Sequence, residues 1–279
     1  MKFGIALGRV SSKAFVDVTV EADRLGFESV WLPEHLVMPV DMTSSPHPGE
    51  DYPPVPPNVH VFDCFAYLSY LAGLTERVRL GTHVYNLALR HPFVAARAVQ
   101  TLDVVSGGRL ELGIGASWLA EEWQAAGLDF HTRGRRLDEA LAVCSRLWSE
   151  EVVEHHGEFF DFQPVMFEPK PIQKPWPPIH VGGESDAALR RAARLGDGWI
   201  GITHTVESVR RPVELLAKLR DEAGRADHPF EVTLGGPVAT RDDLARWEEA
   251  GVQRLIVAPW ARSREALDGM RRFADLMFD

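Results

Sequence analysis

Pro33-Glu34-His35 sets an imidazole, the side chain that exchanges protons near neutral pH, directly after a β-branched run and beside a carboxylate. Alone, such a histidine is more often structural than catalytic. Thr82-His83-Val84-Tyr85-Asn86 brings a second imidazole and an amide after another apolar run, and Gly113-Ile114-Gly115-Ala116-Ser117-Trp118 combines close-packing glycines with an aromatic wall. Gly182-Gly183-Glu184-Ser185 precedes an amphipathic stretch with Ser185 placed as N-cap and Asp186 in the first turn. Backbone N–H groups at such a turn suit a phosphate, although an isolated Gly-Gly pair is more often only a tight turn. Trp118, Trp260 and Tyr85 are as ordinary in a core as they are beside a planar ring. Brought to one mouth, these segments would form a pocket for a flat aromatic cofactor.

Other chemistries find less support. Glu154-His155-His156-Gly157-Glu158 holds metal-ligand types, but adjacent histidines on a strand point to opposite sides, so no metal site is expected. Arg133-Gly134-Arg135-Arg136 reads as a solvated helix face with ion pairs. There is no G-x-S-x-G elbow and no P-loop, and Gly4-Ile5-Ala6-Leu7-Gly8-Arg9 fails the dinucleotide-binding spacing. Cys64 and Cys144 fall in helix-like segments and read as inert buried thiols with no disulfide. The formal net charge of −10 disfavours nucleic acid and anionic membrane surfaces. No apolar run reaches the ~20 residues of a membrane span, so a cytoplasmic enzyme acting on a small molecule is expected.

The elements that must position these motifs follow from periodicity. Short β-branched runs at Phe3–Leu7, Ser29–Leu32, Val78–Val84, Leu110–Ile114, Ile179–Gly182, Gly198–Ile202, Phe230–Leu234 and Arg254–Ala258 each precede a stretch of helical spacing. Eight strand-helix units predict a TIM (β/α)8 barrel, with active-site residues at the carboxyl ends of the strands. Residues 1–279 read as one domain with two insertions, at about 38–62 and 152–178. The proline-rich Pro39 to Val61 stretch and the Phe159–Pro178 stretch both read as irregular excursions.

Read together, five blocks resemble the bacterial luciferase-like superfamily, in particular its coenzyme F420-dependent oxidoreductases. They are Gly26 to His35, Leu80-Gly81-Thr82-His83-Val84, Leu102 to Arg109, Leu112 to Trp118 with Glu121-Glu122, and Ile179 to Gly183 continuing to Gly196-Asp197-Gly198-Trp199. The resemblance implies a barrel binding a deazaflavin ring at its carboxyl face, with His35 near the reactive side of the ring. It implies that Thr82-His83-Val84 forms a bulge behind the ring through a non-proline cis peptide, His83–Val84, and that the phosphate lies near Gly182-Gly183. Glu34, Asn86, Gly115, Ala116, Trp118 and Ser185 complete the implied cofactor site. Trp118 stands where the sugar-phosphate dehydrogenase branch has an acid, so that branch's proton relay does not carry over.

The implied activity is hydride transfer between F420 and a small organic substrate, with His35 binding or protonating that substrate and Glu34 orienting it. FMN-dependent two-component monooxygenase activity is the alternative, and a non-catalytic flavin-fold binding protein is a third reading. Family analogy implies a homodimer.

Overall fold

The computed structural model describes residues 1–43, 45 and 55–278. The expected alternation is present. Strands β1 (Lys2–Ala6), β2 (Ser29–Leu32), β3 (Arg79–Thr82) and β4 (Leu110–Ile114) are followed by β5 (Val152–His156) and β6 (Asp161–Met166), and then by β7 (Ile179–Gly182), β8 (Gly198–Thr203), β9 (Glu231–Gly235) and β10 (Arg254–Val257). Eight of them close a barrel in the order β1-β10-β9-β8-β7-β4-β3-β2, every neighbouring pair parallel. Continuous apolar strands such as Ser29-Val30-Trp31-Leu32, buried at all four positions, are what a parallel sheet covered on both faces requires.

The outer ring comprises α1 (Phe15–Leu25), α2 (Cys64–Ala72), α3 (Pro92–Val105), α4 (Ala120–Ala125), α5 (Arg133–Ser149), α6 (Asp186–Leu195), α7 (Val206–Glu222), α8 (Arg241–Glu249) and α9 (Ala266–Met277). In α1, Phe15, Val18 and Ala22 form the buried stripe. The helix stops at Gly26, whose φ of 89° is the left-handed cap conformation that glycine adopts without a Cβ clash. Among the described residues no helix is long and apolar enough to cross a membrane.

Inside the barrel, Trp31 packs with Ile200 and Ile256. Its indole takes the space of two missing side chains: a Cβ at Gly4 would lie 2.6 Å from Trp31 Nε1, and one at Gly81 would fall closer still to the ring. The barrel is therefore a packed core beneath its carboxyl face.

One expectation is corrected. The second excursion is not irregular throughout, because β5 and β6 pair antiparallel as a hairpin outside the barrel. Pro164 within β6 hid it; an exposed strand paired on one side tolerates a residue without an N–H. Strand β3 also ends at Thr82, two residues before the expected Val84.

Candidate active site

A cavity of about 490 Å³ opens where β1, β2, β3 and β4 end, covered by the described part of the first excursion. Glu34, His35, His83 and Trp118 line it, together with Ser12, Phe15 and Val59 to Phe62, which sequence reasoning did not single out. A larger groove of about 720 Å³ lies between α2, α3 and the hairpin. It lies away from the strand ends, and Asp63, the one carboxylate among its described lining residues, is engaged as the N-cap of α2.

His35 is held from an unexpected direction. Its Nδ1 lies 3.1 Å from Oε2 of Glu122, a fully buried carboxylate on α4, 87 residues away. The same carboxylate accepts from the backbone N–H groups of Leu36 at 2.5 Å and Val37 at 3.3 Å, and from Ser117 Oγ at 3.4 Å. A carboxylate that only accepts makes Nδ1 the protonated nitrogen, leaving Nε2 without a hydrogen-bond partner among the described residues. Trp118 meets the imidazole edge-on, with ring centroids 5.5 Å apart at 87°. Ser117, just before it, has φ 64°, a left-handed conformation rare outside glycine that turns the chain at this wall.

The expectation that Glu34 orients His35 is thereby overturned. The Glu34 carboxylate is buried, accepting from Arg90 Nη2 at 2.6 Å and from the Asn86 backbone N–H at 2.9 Å. Adjacent side chains diverge as the chain leaves β2, so Glu34 braces the end of β3 while His35 faces Glu122. Glu121, the neighbour of Glu122, accepts from the Thr43 backbone N–H at 2.8 Å and Oγ1 at 2.7 Å, and His60 Nδ1 meets Ser12 Oγ at 2.9 Å. The cover is thus tied down at both ends of its described part.

The His83–Val84 peptide is cis, as the resemblance implied. Thr82 is buried behind it and donates its hydroxyl to Gly113 O at 2.7 Å. Val84 occupies space left by two glycines: a Cβ at Gly115 would lie 2.7 Å from Val84 Cγ2, and one at Gly182 would lie 2.8 Å from Val84 Cγ1. His83 keeps some surface open to the cavity, yet the surrounding protein desolvates its ring and pushes its pKa down to about 4 against a hydrogen bond with the Gly201 backbone. It is neutral at physiological pH.

Gly182, Gly183 and Ser185 lie at the same end of the barrel but outside the cavity lining. Gly183 is exposed with φ 119°, and Ser185 Oγ caps α6 by accepting from Ala188 N at 3.2 Å. Ala116 is partly buried against the core, and Asn86 is buried beneath Glu34. Beside the turn, Glu184 accepts from Ile202 N at 2.7 Å and pairs with His204 at 3.0 Å.

The motif histidines His155 and His156 take separate partners, Glu139 and Asp161. Glu111, His180 and Glu231 do converge closely enough to hold a cation, at the amino end of the barrel. Arg254 already supplies it there, 2.6 Å from Glu231 and 3.5 Å from Glu111. Both cysteines are free and buried, and burial raises their thiol pKa values, as inert core residues require.

The model of the luciferase-like monooxygenase family matches residues 3–275. The chain belongs to this family. This luciferase-like oxidoreductase is 32% identical over 267 residues to an uncharacterised protein of Mycobacterium tuberculosis, covering 92% of this chain and 88% of the relative. It is also 30% identical over 154 residues to an FMNH(2)-dependent dimethylsulfone monooxygenase of Pseudomonas putida, covering 54% and 42%. Among solved structures, an F420-dependent secondary alcohol dehydrogenase in complex with an F420-acetone adduct superposes with a TM-score of 0.80 at 15% identity, covering 99% and 98%. Its similarity shows the shared fold. The proteins it resembles thus include an F420-dependent enzyme, by fold, and an FMNH(2)-dependent enzyme, by sequence.

Proposed function

We propose that the protein is an F420-dependent oxidoreductase that moves a hydride between the deazaflavin and a small organic substrate. The observation that carries this reading is the His35–Glu122 pair at the wall of the cavity, because hydride transfer at a carbonyl or carbinol carbon must be matched by a proton at its oxygen. When bound, the deazaflavin ring accepts or donates the hydride. His35 Nε2 takes the proton from a substrate hydroxyl as it becomes a carbonyl, and returns it in the reverse direction. Glu122 fixes the tautomer that makes Nε2 available and stabilises the imidazolium that forms. Trp118 and the strapped cover keep water from the reacting atoms.

The residues fit such a ring. The cavity volume falls within the range of cofactor and ligand pockets, roughly 300–1,000 Å³, and its walls are largely apolar. His83 and Val84 would back the ring, with Thr82, Gly115, Ala116 and Asn86 supporting that wall from behind. Gly182, Gly183 and Ser185 would offer backbone N–H groups to the phosphate, with Gly183 exposed for close approach. Residues 1–279 are read as one domain and the protein as a homodimer, checked by its mass in solution.

The 30% identity to an FMNH(2)-dependent monooxygenase supports a second reading, in which FMN occupies the same cavity. Visible-light titration separates the two. Saturable binding and spectral change with F420 but not FMN are expected; saturation by FMN alone overturns the proposal in favour of the second reading.

A further inference from the structure

Taking the cavity as the substrate site, on which this inference rests, we infer that it receives an uncharged, mainly apolar carbonyl or hydroxyl compound and turns away carboxylates and phosphate esters. The argument begins with charge. Between Arg24 and Arg77 the sequence contains no lysine or arginine, while the same span carries Glu28, Glu34, Asp41, Glu50, Asp51, Asp63 and Glu76. Every residue of the cover is therefore neutral, acidic or a histidine.

The rest of the lining agrees. Among the described residues that line the cavity there is no lysine or arginine, and Val10, Phe15, Leu32, Pro33, Val59 and Phe62 supply its walls. Arg9 and Lys13 border lining residues in sequence, but both are exposed and neither lines the cavity. Arg90, just behind, is bound to Glu34. An anion entering this space would lose its hydration and meet no fixed countercharge, a cost that neutral compounds escape. A cationic substrate fares no better, since Glu34, the one carboxylate among the described lining residues, is already neutralised by Arg90.

Of the three histidines among the described lining residues, His83 is held neutral by desolvation, and His60 is bonded to Ser12. Ser11 and Asn58 also line the cavity, but His35 is the acid–base group placed to meet a substrate oxygen. Apolar walls with one acid–base group match a molecule that carries one reactive oxygen on a hydrocarbon frame.

The test is equilibrium binding to the full chain, followed by calorimetry and tryptophan fluorescence at pH 8, where unperturbed imidazoles are neutral. Probes are matched sets sharing a skeleton, such as cyclohexanol, cyclohexanone, cyclohexane carboxylate, cyclohexyl phosphate and cyclohexylamine, with corresponding bicyclic and aryl sets. The neutral members should bind at least about tenfold tighter than the charged members of the same set. Placing a cation in the cover, Val59→Lys, should narrow that gap by raising carboxylate binding. Equal or tighter binding of the anions by the unaltered protein, or no binding of any neutral member at millimolar concentration, overturns the inference. Because these measurements need neither cofactor nor turnover, they are separable from the cofactor reading. F420 failing to bind while the neutral preference persists would defeat only that reading, and F420 binding with the anions preferred would defeat only this one.

Discussion

The two ends of the barrel bury charge to different effect. At the amino end Arg254, 1% exposed, makes two 2.9 Å bonds to Glu28 and approaches Glu231 and Glu111, while His180 Nε2 lies 2.5 Å from Glu111 and Arg79 pairs with the same carboxylate. Each acid there is matched by a cation, and Arg254 also stacks 5.2 Å over Trp31, the plug of the interior. Burial disfavours the charge on Glu111, but His180, Arg254 and Arg79 outweigh it and hold the carboxyl well below its usual range. At the carboxyl end Glu34 is likewise paired, with Arg90, but Glu122 has no arginine or lysine partner among the described residues; it braces the backbone and His35, and leaves one imidazole nitrogen unengaged beside a cavity. Paired acids close the amino end, where His180 Nδ1 is sealed in the core without a partner among the described residues, whereas the free nitrogen of His35 faces a cavity, as expected of a fold whose amino face serves stability and whose carboxyl face serves chemistry.

This contrast is sharpest under substitution. Once a substrate is in hand, His35→Ala should lower turnover by roughly 10²–10⁴-fold while fold and cofactor binding persist. Steady-state kinetics with a parallel thermal melt checks this, and undiminished turnover would return His35 to a structural role. At the other end, Arg254→Met should cost about 3–5 kcal/mol, because it strands buried carboxylates without a partner. Urea titration should reveal that loss, with cofactor affinity unchanged in the folded protein. A ligand affinity that fell with it would mean the two ends are not independent.

Smaller effects refine the picture. Gly182→Ala should push against Val84 and cost about 1–3 kcal/mol as an overpacked site, measurable in the same titration. Gly183→Val is a poorer probe, since its positive φ and the nearby Ala188 Cβ would strain the turn irrespective of any ligand. Acid should also separate the two ends. His83 has its pKa lowered to about 4 in the folded protein, so below its unfolded value of about 6.5 the unfolded chain binds the extra proton. Its contribution is whole above that window and is lost as pH falls through it. Glu111, with its pKa depressed, keeps its contribution until acidification goes below its ordinary value of 4.5. Between pH 6.5 and 5, therefore, His83→Asn should flatten part of the decline in unfolding free energy; His91, lowered chiefly by desolvation as well, contributes in the same direction. The least effect is expected from Ser12→Ala, which removes one exposed bond to His60 and should change stability by about 0.5 kcal/mol or less, while speeding ligand release measured by stopped-flow fluorescence.

Much of this was legible before any coordinates. The eight strands were readable because each is a short β-branched run followed by a helical stripe, a local pattern, and His35, His83 and Trp118 stand where those runs end. The hairpin was obscured by Pro164, whose effect depends on which edge of the strand is paired. The Asp103 to Arg109 block, prominent as a motif, proves to be scaffolding. Asp103 accepts from the Ile172 and Gln173 backbone, and Arg109 bonds the carbonyls of Ala72, Thr75 and Val78. A motif marks that residues matter without telling whether they touch a ligand or a loop.

The amino-acid sequence by itself determined the repeating units, the solvent-averse strands and the absence of cations from the first excursion, because periodicity and charge are properties of neighbours along the chain. Which carboxylate serves His35 was decided by the barrel alone. Glu34 is adjacent in sequence yet faces Arg90, whereas Glu122 is brought from 87 residues away when β2 and β4 end at the same face and α4 folds over it. Closure of the sheet converts separation along the chain into contact across a few ångströms, and hydrogen bonds answer only to the latter.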